Sequence, residues 1–302
     1  KDDVRDAFTI ADLLRTGKYT ETQLLHGGYA ELRQYANLYE RLGCERTRHK
    51  NRLHSAVGQL FPEVKGVFKD LTGLTAVAML RNHAAAGVIR DLSEDDFIAG
   101  VRGDYEGKRL CVSKLRQAHR LAAISVGLQD GVQALQLMVR QQLQTLTLLE
   151  RQMTEACEAM IDCFLTLPES RYLLSVHGLG LVSAAIILAE IGDPSHYHHG
   201  RQWIKLAGTQ PVPNLSGRKT RSRTPMSRKG RPRLRTTLFF AVMRLVQLDD
   251  AFGRQYLRFQ QRDKNPLTKM QALGALMNKL LRILWALMKN QTFYNSAFEH
   301  TA

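Results

Sequence analysis

The chain alternates long stretches of helical periodicity with short interruptions. From Asp6 to Arg15, the apolar residues Ala7, Ile10, Leu13 and Leu14 fall at helical spacing, and Gly17 stands where a helix should stop. Thr20 followed by Gln23 predicts a capping box for the next helix. Tyr29 to Leu60 carries one apolar stripe, made of Leu32, Tyr35, Tyr39, Leu42, Leu53, Val57 and Leu60 and ended by Pro62. The middle of this stretch, ERTRHKNR, is strongly basic. Phe61 to Lys108 reads as short helices with a turn near Gly103. Cys111 to Thr166 repeats apolar residues at helical steps over its whole length, with Gly127 and Gly131 as its weak points. Paired with Tyr29–Leu60, it is expected to form either an antiparallel coiled-coil stalk that dimerises or the core of a helical bundle.

Pro168 marks a boundary. Beyond it the pattern predicts a hairpin-like segment from Leu173 to Ile191 and a short helix from Arg201 to Leu206, stopped near Gly208. A basic loop follows, then a helix with Pro232 in its first turn. A last helix runs from Pro266 to about Lys289. No strand pattern exceeds a few residues. The expectation is a mainly α chain in three parts, 1–18, 19–167 and 168–302.

Composition narrows the function. The chain has 302 residues, 44% of them hydrophobic, enough for a sizeable core. Its formal net charge of +15 points to nucleic acid or an anionic membrane surface. Membrane is the weaker reading, because no run approaches about 20 apolar residues. The most apolar segment, Leu276 to Met288, is interrupted by Asn278, Lys279 and Arg282. Four scattered cysteines without a CxxC pair read as reduced thiols of a cytosolic protein.

The charge is concentrated. Ser216 to Arg235 holds nine Lys or Arg and no acid, and the acid-free zone runs from Pro194 to Leu248. Neutralising a polyanion releases counterions, so such a segment favours phosphate. Arg218, Lys219, Arg221, Arg223, Arg228, Lys229, Arg233 and Arg235 are the candidate phosphate contacts, with Ser227 and Gly230 among them. Upstream, Gly178-x-Gly180 opens an apolar helix, and N–H groups at a helix start can hold phosphate oxygen, as in helix-hairpin-helix DNA contacts. Ser216-Gly217 offers a hydroxyl that either attacks a phosphodiester or only bonds a phosphate. Asp3 and Asp6, one helical turn apart, either share a divalent cation such as Mg²⁺ or form an ordinary acidic helix start. His196, His198 and His199 have no second ligand pair at metal spacing and read as a solvated or DNA-facing loop.

From Leu173 to Val246 four blocks occur in order: LLSVHGLGLVSAAIILAEIGD, RQWIKLAGTQPVP, LSG and MSRKGRPRLRTTLFFAVM. Together they resemble the C-terminal transposase domain of the insertion-sequence one-ten group of DEDD transposases, the bridge-RNA-guided recombinases. Departures are His177, where the family usually has proline, and a shifted basic step at Arg228 and Lys229. KDDVRDAFTIADLLRTGKY resembles the end of the family's RuvC-like α/β domain, with Asp3 and Asp6 on its Asp-x-x-Asp motif. The family's first Asp and its Glu would lie before Lys1, so the chain reads as starting within that domain.

The resemblance implies a DNA transposase that cuts and rejoins DNA through a covalent bond to Ser216. It implies Mg²⁺ on Asp3 and Asp6, and a structured guide RNA pairing with donor and target DNA. It also implies a dimer or tetramer in a bacterial or archaeal cytoplasm, associated with the nucleoid rather than a membrane. The other expectation is a non-catalytic helix-hairpin-helix nucleic-acid-binding protein or an inactive transposase remnant.

Overall fold

The computed structural model describes residues 2–17, 24–212, 215–216, 219–220 and 225–295, the four residues at 215–216 and 219–220 by their backbone path. The mainly α expectation holds. The capping box expected at Thr20 and Gln23 lies outside the described residues.

By contacts the chain divides into two units, Lys1–Gln34 with Ile161–Ala302, and Tyr35–Met160. The helices in chain order are α1 (Asp3–Arg15), α2 (Gly27–Leu60), α3 (Val64–Val67), α4 (Leu74–Asn82), α5 (Ala86–Arg90), α6 (Glu94–Gly103), α7 (Val112–Ala122) and α8 (Val132–Thr166). They continue as α9 (Ser170–Leu174), α10 (Leu181–Ile191), α11 (Gly200–Ala207), α12 (Pro232–Leu248), α13 (Asp250–Gln261) and α14 (Lys269–Asn290). Between α11 and α12 stand two short strands, β1 (Leu215–Ser216) and β2 (Lys219–Thr220). No helix among the described residues is long and apolar enough to cross a membrane.

In the Tyr35–Met160 unit, the segments of α2 and α8 lie antiparallel, with Gly43 beside Met153 and His49 bonded to Gln142 at 2.7 Å. Leu53, Val57, Leu60, Val139, Leu143 and Leu146 share one core with α3 to α7. The stripe at 53–60 thus meets a bundle core within this unit. The long pattern read over Cys111–Thr166, with Gly127 and Gly131 as its weak points, forms two helices, α7 and α8, on either side of these glycines. Gly127 sits so close to α2 that a Cβ there would fall 2.2 Å from the Leu60 carbonyl oxygen. The next residue, Leu128, donates its N–H to the Gln59 carbonyl at 2.8 Å. Gly131, at φ +69°, then restarts the chain as α8. The first helix has already ended at Ala122, and at Gly127 backbone packs against backbone, a contact that side-chain spacing does not encode. At the centre of this unit Phe97 is fully buried between His83, edge-on at 5.3 Å, and His119 at 5.9 Å.

In the other unit α10 is nearly surrounded, burying seven of its eleven residues. It packs on α9 and α12, while α12 packs in turn on α13 and α14. The last helix starts at Lys269 and not at Pro266. Thr268 accepts from Gln271 N–H, and the Gln271 side chain accepts from Thr268 N–H, a reciprocal cap that fixes the start. α13 was not anticipated. Buried Asp249 caps it, accepting from the N–H groups of Ala251 and Phe252 at 2.8 and 3.1 Å.

Candidate nucleic-acid interface

The site grows from the ends of three helices. α11 stops at Gly208, in the left-handed region at φ +68°, which releases the chain from the body. The chain returns at Arg231, whose backbone N–H bonds the Leu206 carbonyl at 2.8 Å, and Pro232 then opens α12. Between these points the segment is an arm with two feet pinned side by side. Arg228 N–H bonds the Gly208 carbonyl, Ser227 N–H bonds the Gln210 carbonyl and Val212 N–H bonds the Pro225 carbonyl, each at 2.9 Å. Thr209 is buried, and Asn278 of α14 donates to its carbonyl at 3.2 Å.

The feet touch so closely that they require glycine. A Cβ on Gly230 would lie 2.5 Å from both the Gly208 nitrogen and the Leu206 oxygen. Farther out, β1 and β2 pair antiparallel, with Leu215 opposite Thr220 and Ser216 opposite Lys219. Ser216 is therefore the last residue of β1, opposite the first residue of β2. Gly217, Arg218, Arg221 and Arg223 lie outside the described residues.

The nine basic residues do not share one environment. Arg228 and Lys229 are exposed at the returning foot, where the Ser227 hydroxyl accepts from Lys229 N–H at 3.3 Å. Arg233, in contrast, is 12% exposed and pairs through its guanidinium with the buried Glu190 carboxylate. Arg231 lies 3.6 Å from the same carboxylate and also donates to the Glu190 carbonyl. Arg235 donates to the Ala207 carbonyl at 2.9 Å. Arg233 and Arg235, expected at phosphates, thus hold the body and the arm's feet together in this conformation.

Glu190 and Arg33 were not anticipated from sequence. Arg33 of α2 donates to the Ala189 and Glu190 carbonyls, both at 2.7 Å. The last carbonyls of a helix have no intrahelical partners, and its C-terminal end favours cations. Arg33 and Arg231 therefore cap α10 while Glu190 offsets part of their charge. Burial first, then neighbouring Arg231, pushes the Arg33 guanidinium below its usual range. Acid and bases stand 41 or more positions apart along the chain, and no local pattern announces them.

At the other end of α10, the expected hairpin is present. Gly178 takes φ +91° and would meet Leu245 and Leu248 side chains at 3.3 Å if it carried a Cβ. Gly180 is the N-cap of α10, so the first-turn N–H groups lie beyond it. Arg244 of α12 reaches this turn, its Nη1 3.4 Å from where a Gly180 Cβ would stand. Trp203 is fully buried and meets Tyr197 edge-on at 6.0 Å, so it packs. His196, His198 and His199 are exposed.

Asp3 and Asp6 share the first turn of α1, behind an Asp2 cap that accepts from Val4 N–H at 3.2 Å. α1 buries none of its side chains. The two residues stand one helical turn apart, both exposed. Among the described residues the structure forms no cluster of three or more His, Cys, Asp or Glu able to hold a metal.

Comparison with known proteins places this architecture. A model of the Transposase IS116/IS110/IS902 family matches residues 170–257, the stretch holding the hairpin, the arm and α12. A DEDD transposase model of the IS110 type matches residues 1–62. Both matched stretches are therefore similar to transposases. The transposases they resemble are those of the IS110/IS116 type of insertion element.

The insertion element IS110 uncharacterized 43.6 kDa protein of Streptomyces coelicolor is 26% identical over 300 residues, covering 98% of this chain and 72% of that protein. A probable family 20 transposase of Pseudomonas aeruginosa is 32% identical over 126 residues, 40% of this chain and 36% of its own length. The pilin gene-inverting protein of Moraxella lacunata is 30% identical over 135 residues, 43% of this chain and 40% of its own.

Proposed function

We propose that the chain belongs to a recombinase that cuts and rejoins DNA through Ser216. The observation that supports this most is the arm: a basic, acid-free segment with both feet locked to a buried core, carrying Ser216 at the end of β1. A binding tail needs charge alone, whereas a reacting hydroxyl must be held in place against one phosphate.

In the proposed step the Ser216 hydroxyl oxygen forms a bond to phosphorus. The bond from phosphorus to the departing sugar oxygen breaks, and the serine proton ends on that oxygen. Rejoining is the reverse attack by a sugar hydroxyl, which frees Ser216. Arg218, Lys219, Arg221 and Arg223, with exposed Arg228 and Lys229, neutralise the phosphates around it. The α10 N-terminus behind Gly178 and Gly180 holds a phosphate farther along the strand.

Asp3 and Asp6 offer hard oxygen donors of the kind Mg²⁺ takes, and such sites need only one or two carboxylates with substrate phosphate. A bound Mg²⁺ would supply charge neutralisation at the reacting phosphate. A structured guide RNA that pairs with donor and target DNA would choose sequence, leaving the protein to hold backbones. The long helices α2 and α8 would join copies into a dimer or tetramer.

The test is Ser216→Ala. It should abolish covalent protein–DNA adducts on denaturing gels while leaving DNA affinity unchanged. Adducts that survive the substitution would refute the nucleophile. Absence of adducts with the unaltered protein, despite intact DNA binding, would favour the non-catalytic binding protein instead.

A further inference from the structure

α12 leaves one face to solvent. Leu234, Leu238, Ala241, Val242 and Leu245 are buried, while Phe240 is 62% and Met243 40% exposed on the opposite side. Phe239 meets Phe240 edge-on, with centroids 5.6 Å apart at 73°, which braces the ring and leaves most of it in water. Arg244 follows one turn after Phe240 and is exposed too. Residues i and i+4 stand about 6 Å apart between Cβ atoms. A flat apolar ring and an arginine whose guanidinium reaches the Gly180 turn thus rise from neighbouring positions on one helix, in a stretch with no acid from Pro194 to Leu248.

We infer that this face holds a single DNA strand, with an unstacked base lying on Phe240 and the adjoining phosphate on Arg244. Every base offers a π-face, so stacking on an exposed aromatic beside a cation suits a strand of any sequence. The alternative occupant, a second copy, is disfavoured by charge. Each chain carries +15, and a two-fold contact through this face would set Arg244 near its own counterpart. The position also fits. α12 begins at Pro232, directly after the arm's returning foot, and Phe240 lies about 12 Å along the helix from that start. A strand opened at the arm would run along α12 and reach Phe240 within a few nucleotides. A paired base in a regular duplex cannot use this ring, so the contact selects opened DNA.

The inference rests on the nucleic-acid reading above, and the experiment separates the two. Full-chain Phe240→Ala, Phe240→Trp, Arg244→Ala and Lys229→Ala are titrated against a single-stranded DNA oligonucleotide, its duplex and an RNA of the same sequence. Folding of each variant is checked by circular dichroism. Phe240→Ala should weaken single-strand DNA binding by about tenfold to a hundredfold and leave duplex binding unchanged. Phe240→Trp should retain affinity and show fluorescence quenching as a base stacks on it. Arg244→Ala should weaken both DNA forms and reduce the salt slope by about one.

Wild-type single-strand affinity in a folded Phe240→Ala protein would overturn the inference, as would a loss confined to RNA. So would conversion of a self-associated form to monomer in sedimentation without DNA. If Lys229→Ala lowers DNA binding while Phe240→Ala does not, only this inference fails. If the unaltered chain binds none of the three nucleic acids, the underlying reading fails with it.

Discussion

Replacing Glu190 by glutamine removes the negative charge of a buried carboxylate beside Arg231 and Arg233 and changes little else in shape. Glu190 is 5% exposed, and Arg233 beside it is 12% exposed. Arg231 and Arg33 complete the group through the Glu190 carbonyl. Without the carboxylate, Arg233 loses the buried acid it pairs with, while Arg231 and Arg33 still bond the Glu190 and Ala189 carbonyls nearby. Removing one partner of a buried ion pair costs about 3–5 kcal/mol, because the other charge stays buried and uncompensated. Glutamine keeps one acceptor oxygen, so the lower end, about 3 kcal/mol, is expected for Glu190→Gln.

At about 2–4 °C per kcal/mol for a domain of this size, the melting temperature should fall by about 6–12 °C. Circular dichroism melts at low and high salt measure it. The loss should persist at high salt, since buried pairs are poorly screened. The double variant Glu190→Leu with Arg233→Met, which removes both charges, should melt above Glu190→Leu alone. A shift below about 2 °C for Glu190→Gln, with strictly additive double-variant effects, would refute the claim that this pair holds α10 to α12.

Other substitutions probe separate parts of the structure. Gly230→Ala should lower stability by about 1–3 kcal/mol in denaturant titrations, because its Cβ would strike the Gly208 and Leu206 backbone. Asp249→Ala should cost about 1–2 kcal/mol by the same measurement, since buried Asp249 caps α13. His83 is pushed below its usual pKa mainly by burial, with Asp104 opposing. The folded state then binds less proton than the unfolded one, so thermal stability should decline as pH falls below about 6.5 and level off beneath the lowered folded value. His83→Gln should flatten that decline.

Much of this fold could be read locally. Gly208 as a stop, Pro232 as a start and the Gly178-x-Gly180 turn each act through the backbone of one or two residues, so their positions alone announce them. The last helix was placed three residues early, since Pro266 resembles a first-turn proline while the actual cap is made by Thr268 and Gln271. α13 was not anticipated because Gly253 and a run of polar residues blur its apolar face. The group around Glu190 was not legible at all. Arg231, Arg233 and Arg235 look like every other basic residue of their segment, and only the tertiary structure gives them a buried acid and orphan carbonyls to bind.

The back-to-back contact of Gly208 and Gly230 has an evolutionary consequence. A loop whose two ends already meet gains little entropic penalty when it lengthens, only about 0.6 kcal/mol for each doubling. Residues can therefore be added to or removed from the segment beyond the pinned feet at little cost to the helical body beneath, while Thr209 and the bonded feet stay fixed. Relatives with the same core and feet but arms of different length are the natural outcome of this architecture.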